Sequence, residues 1–548
     1  MTKRNLLLIS IGCLLPALAG AQVSFDRIVN AGKEPQNWLT YSGTTMSQRY
    51  STLAQLTPKN VKALQLQWVY QARSLEKFEA TSLEVDGVLY TVQAPNDVIA
   101  LDAATGRVYW TYSYAPSQQA RACCGRVNRG LAILGDTLFM GTIDAHLVAI
   151  DAKNGKPLWN TTVARPEAGY SLTHAPLVVK DKVIVGTAGG EYGIRGFLAA
   201  YDAATGKEVW RFNTVASPDE PGGDTWKNDA WKTGGGSVWV TGSYDPALNL
   251  TYWGIGNPGP DCNGDPRPGD NLYTDSVVAL DADTGKLKWY YQFSPHDEFD
   301  YDSVQIPVLA DMNWTDKSGQ TKPRKLMFWA NRNGNFYALD RSTGEFLMGK
   351  PFVEVNWMSG FDEKGRPMRV PGKTPSVEGT SITPGNQGGT NYYSPSFSPH
   401  TGLFYIPSWV NYTSIYVKTK QEYTEGLQYG SGTPRSPIPF GRGAQNFRKE
   451  DEGYGAVRAI DPKTGERKWE FKMSDITEAG ILTTASDLLF SGGREGYFYA
   501  LDARTGEPLW KASVGGSVTS SPMTYSVNGR QFVTVAAGNS LFAFALPQ

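Results

Sequence analysis

The sequence predicts an all-β fold, one eight-bladed β-propeller of four-stranded blades, and three observations carry that prediction. The pattern Ala-x-Asp-x-x-(Thr/Asn)-Gly-x-x-x-Trp recurs along the chain, its copies are spaced at the size of a four-stranded unit, and no helical period of useful length appears. The copies run Ala100 to Trp110, Ala149 to Trp159, Ala200 to Trp210, Ala279 to Trp289, Ala459 to Trp469 and Ala500 to Trp510. A seventh, Ala338 to Met348, puts Met in the place of Trp. Each begins in an apolar run such as Val98-Ile99-Ala100-Leu101, which reads as a strand. The Asp can bond backbone amides of the following turn, the Gly supplies its positive φ, and the Trp opens the next strand with a large flat face for a neighbouring unit. A linear solenoid would repeat at shorter and more regular intervals. The repeated Asp residues stand 49, 51, 79, 59, 121 and 41 residues apart, and the 121-residue interval has room for a degenerate eighth unit.

Composition narrows the function. Among 548 residues, 52 Lys+Arg meet 53 Asp+Glu for a formal charge of −1, which offers no basic footprint for nucleic acid or an anionic membrane. Sixteen Trp and 41% hydrophobic residues exclude disorder. Residues 1–21 read as a secretory signal peptide: Lys3 and Arg4 are the charged start, Leu6 to Leu18 the apolar stretch, and Ala19-Gly20-Ala21 the small-residue cleavage site. The apolar run is too short to span a membrane, and no later run is apolar enough. The expectation is a soluble periplasmic protein whose residues 22–548 form a single propeller domain. After cleavage Cys123, Cys124 and Cys262 remain, with no C-x-x-C-H haem motif; His146, His174, His296 and His400 form no H-E-x-x-H zinc motif.

Three clusters carry chemistry. Cys123 and Cys124 are adjacent, so bonding them strains the backbone, and such strain concentrates at functional sites. Two reduced, buried thiols are the alternative, which an oxidising compartment disfavours. The run Ser294 to Asp302 holds five His or carboxylate residues, and an extended backbone would put Asp300 and Asp302 on one face. Carboxylates that close repel unless a cation joins them or one stays protonated; a solvated acidic loop is the plainer alternative. Gly254 to Gly259 matches G-x-G-x-x-G, but Pro258 and Pro260 forbid the helix a dinucleotide site needs, so it reads as a turn presenting Asn257.

These residues resemble those of the pyrroloquinoline-quinone (PQQ) dependent alcohol dehydrogenases, the methanol and ethanol dehydrogenase type, over essentially the whole chain after residue 21. The tracts that carry the resemblance are Cys123 to Arg129, Val185 to Gly193, Gly236 to Trp239, Gly256-Asn257-Pro258 and His296 to Asp300. It implies that Trp239 stacks on the flat tricarboxylated quinone and that a Cys123–Cys124 ring covers the opposite face. Glu79, Arg129, Thr173, Ser237, the loop Ala188-Gly189-Gly190 and Asn391 match polar contacts around the cofactor's rim, and Arg332 matches the arginine at the reactive quinone oxygens. Glu191, Asn257 and Asp300 match the metal ligands, all hard oxygen donors. Asp300 also matches the base that takes the alcohol proton.

Asp302 resembles the marker of lanthanide-dependent members, because a trivalent ion favours additional anionic oxygens; calcium is the alternative metal. The alternative for Asp302 itself is that it binds only backbone or arginine. Trp239 is followed by Val240-Thr241-Gly242-Ser243-Tyr244 without a second Trp, which resembles the ethanol-type branch and implies primary alcohols broader than methanol. Without a haem motif, electrons are expected to leave to a separate periplasmic cytochrome c. A non-catalytic scaffold of the same repeat and a PQQ-dependent sugar dehydrogenase are the competing functions, and a homodimer is compatible with the sequence.

Overall fold

The computed structural model describes residues 23–435, 447–448 and 453–548. The signal segment read at 1–21 lies outside the described residues. Eight blades of four antiparallel strands follow one another around a ring, in chain order in the first seven, and Tyr50–Ser51 adds a short parallel strand to the seventh. Blades 1 to 7 span residues 83–112, 132–162, 177–213, 243–292, 308–351, 396–472 and 482–513. The eighth comprises Met523–Val527, Arg530–Ala537 and Ser540–Ala545, with Gln65–Gln71 as its outermost strand. One short α-helix, Phe25–Val29, and a few 3-10 turns are the helical content among the described residues.

The repeated pattern is an inter-blade lock. Asp102 Oδ1 accepts from the amides of Ala104 and Thr105 at 3.0 and 2.9 Å, shaping the turn between the third and fourth strands. The Trp that follows in the fourth strand reaches the same turn of the next blade. Trp110, Trp159 and Trp210 donate Nε1 to the carbonyls of Ala152, Ala203 and Ala282 at 3.1–3.2 Å, and Trp289 and Trp469 do the same to Arg341 and Ala503 at 3.1 Å. Each indole lies flat against the turn glycine: a Cβ on Gly155 would sit 2.5 Å from Trp110 Cε3. Where Met348 replaces the Trp, its sulfur and Lys350 cover Gly465 instead.

The eighth unit is not in the 121-residue interval. Beyond the first two strands of blade 6, that interval holds a hairpin, Met358–Phe361 with Pro367–Arg369, and a small sheet of Thr380–Ile382, Tyr412–Lys418 and Gly432–Arg435. Blade 8 escapes the pattern because no turn joins its third and fourth strands: Ser540–Ala545 pairs with Gln65–Gln71 from the other end of the chain. Trp68 on that strand still makes the lock, donating to Ala103 O at 3.2 Å and lying against Gly106.

Antiparallel meanders fix where the loops go. The link between blades and the loop between second and third strands emerge at one end of the ring, and the patterned turns at the other. Substitution separates the two demands on a turn glycine. Gly135→Ala, at φ +61° in open space, should cost about 1 kcal/mol of left-handed strain. Gly155→Ala, at φ +74° under Trp110, should lose about 1–3 kcal/mol more through overpacking. Urea midpoints of the two variants measure this, and equal losses would show that the indole contact is slack.

Candidate active site

At the end of the ring away from the patterned turns, one cavity of about 850 Å³ gathers most of the predicted residues. Glu79, Cys123, Cys124, Arg129, Thr173, Ala188, Gly189, Glu191, Trp239, Asp300, Asp302, Arg332 and Asn391 all line it. Every one lies on a blade-to-blade link or a second-to-third-strand loop. Gly190, Ser237 and Asn257 stand in the layer directly behind. A Cβ on Gly190 would lie 3.2 Å from Ser237 Oγ, and Asn257 donates its amide to Asp302 Oδ1 at 3.1 Å.

The aromatic part of the site is built around Arg129. Its guanidinium pairs with Glu79 at 2.8 Å, donates to Thr173 Oγ1 at 3.1 Å, and sits over the rings of Trp239 and Tyr392 at 4.9 and 4.6 Å. Cys123 and Cys124 are paired with Cα atoms 3.8 Å apart, and Glu191 Oε1 lies 2.9 Å from Cys123 Sγ. Asn391 holds Gln387 through its side-chain amide at 3.3 Å.

The extended backbone expected for Asp300 to Asp302 is not what forms. Asp297 Oδ2 accepts from the amides of Phe299 and Tyr301 at 3.0 and 3.1 Å and bends the chain, leaving Asp300 at φ +58°. Left-handed backbone at a non-glycine residue is strained and marks a position the surroundings over-determine. The two carboxylates still converge, because Arg332 bridges them: Nη2 donates to Asp300 at 2.8 Å, Nη1 to Asp302 at 2.6 Å, and Nε to Asn386 O at 2.7 Å. Asp302 therefore has backbone and arginine on its two oxygens, the contacts of the alternative reading. Each carboxylate oxygen keeps a second lone pair. The approach is close enough to require Gly256, where a Cβ would fall 2.2 Å from Asp302 Oδ1.

Sequence reasoning missed Asp261, which also lines this side of the cavity and accepts from Asn257 Nδ2 at 2.9 Å. Its signal was an acid four residues after Asn257 in the same loop. Glu191, Asp261, Asp300 and Asp302 thus line one side of the cavity, and Arg332 pairs with the last two. Protein atoms crowd Glu191 despite its opening to the cavity, and with the charges of Asp261 and Asp302 they push its carboxyl up to about 8. Burial likewise raises Asp261 to about 7, against the Asn257 hydrogen bond. Burial lifts Asp300 well above the usual range even though Arg332 opposes it. Burial disfavours the charge on Arg332, but Asp300 and Asp302 outweigh it and raise its pKa. Also missed were Lys77, Glu478 and Arg494 across the cavity, where Glu478 contacts both cations at 3.3 Å. Tyr392, Tyr393 and Trp409 complete the aromatic lining.

Comparison with known proteins bears on this cavity directly. Residues 38–356 match the family model described as glucose/ethanol/alcohol dehydrogenase, beta-propeller domain. Residues 453–546 match one described as outer membrane protein assembly factor BamB. Quinoprotein alcohol dehydrogenase PedH of Pseudomonas putida is 36% identical over 96% of this chain and 90% of its own length. A lanthanide-dependent methanol dehydrogenase of Methylacidiphilum fumariolicum is 36% identical over 100% of this chain and 92% of that protein. A solved europium-containing methanol dehydrogenase superposes with a TM-score of 0.88 at 34% identity, covering 95% of this chain and 100% of the other. With that similarity sustained from the first blade to the last, the chain belongs to the PQQ-dependent alcohol dehydrogenases.

Proposed function

We propose that the protein is a periplasmic enzyme oxidising primary alcohols to aldehydes, with Asp300 as the base and a lanthanide held by Glu191, Asn257, Asp300 and Asp302. The observation that carries this is the set of four carboxylates, Asp261 included, on one side of the cavity, where Arg332 pairs with only two of them. Such an excess of hard oxygen donors suits a multiply charged cation, and a trivalent ion offsets more of it than calcium does. The flat, cation-bearing part of the cavity suits PQQ: Trp239 would stack on it, with the Cys123–Cys124 disulfide over the other face. Glu79, Arg129, Thr173, Ser237, Ala188, Gly189, Gly190 and Asn391 would meet its rim.

The bound quinone supplies the hydride acceptor and the cation supplies Lewis-acid polarisation. The chain's own residues handle the proton and the alignment. Asp300 would accept the hydroxyl proton at Oδ1, since Oδ2 already accepts from Arg332. Arg332 uses three of its five N–H groups on Asn386, Asp300 and Asp302, leaving two for the quinone oxygens. The periplasmic location rests on the signal reading of residues 1–21; among the described residues no helix is long and apolar enough to cross a membrane. A separate cytochrome c as acceptor, and residues 22–548 as one propeller domain, belong to the same reading.

Dye-linked ethanol oxidation by apoprotein given PQQ, with lanthanum or calcium in parallel, tests the assignment. Activity with lanthanum is expected; activity with calcium alone would remove the lanthanide, and no PQQ binding at all would remove the enzyme assignment. Asp300→Asn should lower kcat by about 10²–10⁴-fold with either metal, and a near-normal rate would place the base elsewhere. Asp302→Ala should lose lanthanum-supported turnover by about tenfold or more relative to any calcium-supported rate. Equal turnover with lanthanum would confine Asp302 to holding Arg332.

A further inference from the structure

The 121-residue interval does more than fill space, because part of it closes the cavity on the Asp300 side. Tyr429 donates its amide to Glu191 O at 2.6 Å, Cys262 donates its amide to Gly430 O at 3.0 Å, and Asn263 Nδ2 donates to Thr419 O at 3.0 Å. These bonds lash the 419–432 loop to the two segments that carry Glu191 and Asp261. The loop is also tied to itself: Gln421 Nε2 donates to Gln428 O at 2.6 Å, and Ser431 N donates to Gln421 Oε1 at 3.0 Å.

What this closure shows to the cavity is polar. The lining from the 257–263 and 419–432 segments is Asp261, Cys262, Gln421, Gln428, Gly430 and Gly432. No aliphatic or aromatic side chain comes from either segment; Leu427 is exposed and does not line the cavity. The aromatic lining lies elsewhere, on Trp239, Tyr392, Tyr393 and Trp409. Asp261 uses Oδ1 on Asn257, and its Oδ2 lies beside Gly430, where a Cβ would come within 3.6 Å of it. Cys262 is buried and close enough to Asp261 and Asp300 that, after burial itself, their charges help raise its thiol. An alkyl chain placed here would cover a carboxylate and amides without satisfying them. A hydroxyl would satisfy them.

We propose that the substrates are primary alcohols bearing a second hydroxyl close to the first, the class of vicinal diols and glycerol-like polyols. Asp261 and Gln428 are the specificity-determining residues and receive the second hydroxyl while the first faces Asp300. The inference rests on the alcohol dehydrogenase reading above, but the two fail differently: an enzyme that oxidises 1-propanol well and 1,2-propanediol poorly keeps that reading and loses this one.

The experiment compares kcat/KM for 1-propanol, 1,2-propanediol, glycerol and 1-hexanol with the PQQ- and metal-loaded enzyme. The diol should exceed 1-propanol by about fivefold or more, as one hydrogen bond in a closed site gives, and 1-hexanol should be the poorest. Gln428→Leu, on an exposed loop position, should cut the diol about fivefold and leave 1-propanol within about twofold. Asp261→Asn, which keeps an oxygen for Asn257 Nδ2, should reduce the ratio of diol to 1-propanol kcat/KM at saturating metal, with metal affinity followed separately by terbium luminescence of the apoprotein. A preference for 1-propanol or 1-hexanol in the unmodified enzyme overturns the proposal. So does a Gln428→Leu variant with the diol preference intact, or an Asp261→Asn variant whose sole defect is lost terbium binding.

Discussion

The indole that leaves the fourth strand of one blade and lies on the turn glycine of the next is the contact on which the rest of the molecule depends. It works because the turn is tight enough to present bare backbone. Gly106, Gly155, Gly206, Gly285, Gly344 and Gly506 each lie against a Trp ring, so a side chain at any of them would push two blades apart. Buried aromatic faces of this size contribute both area and orientation. Repeated round the ring, the contact sets the angle between neighbouring sheets. That angle in turn decides how near to one another the loops at the far end come. The cavity is thus a consequence of packing at the opposite end of the blades.

Ring geometry also accounts for the division of charge in the cavity. Glu191, Asp261, Asp300 and Asp302 come from blades 3 and 4 and the link to blade 5, whereas Arg129, Lys77 and Arg494 come from the links around blade 1 and from blade 7. Those cations have glutamate partners, Glu79 and Glu478, so the uncompensated charge lies on the acidic side. The acidic side is the unfavourable one, since buried carboxylates in mutual repulsion meet one guanidinium. Its persistence rests on groups that hold the chain rather than neutralise it: Asp297 bending the 299–301 backbone, and the Gly256 approach that lets Asp302 reach the Asn257 amide.

How much of this was legible in the sequence follows from which parts repeat. Blades 1 to 7 were visible because the pattern behind the lock is local, with Asp, Gly and Trp, or Met in blade 5, within eleven residues. Blade 8 was hidden because the blade itself is split: Trp68 stands on a strand more than 450 residues from the other three. The site residues found early were those in distinctive tracts, such as Cys123-Cys124 and Glu191. Asp261, Arg494 and Glu478 were not, since an isolated acid or cation in a loop has no pattern, and only the closed ring brings it to the cavity. Asp300 and Asp302 stand out in the sequence, where an extended backbone would give them a shared face. The convergence instead comes from a turn and a bridging arginine.

The repeat is weakest where the site is richest, and the reason is mechanical. At the blade 5 to blade 6 junction Met348 stands where a Trp would lock, and the long interval follows. Chain inserted there folds back over blades 4 and 5. Tyr416 Oη donates to Phe299 O at 2.8 Å and Tyr301 Oη to Pro384 O at 2.5 Å, with Trp357, Met358 and Ile382 packed into the same buried cluster. These contacts grip the backbone on both sides of Asp300. A strained residue at φ +58° needs such a grip, and a blade made only of the repeat has no side chains to provide it. Six junctions locked by tryptophan can hold a ring in which the one after blade 5 is relaxed. The relaxed junction is what admits the segment that fixes the proposed base.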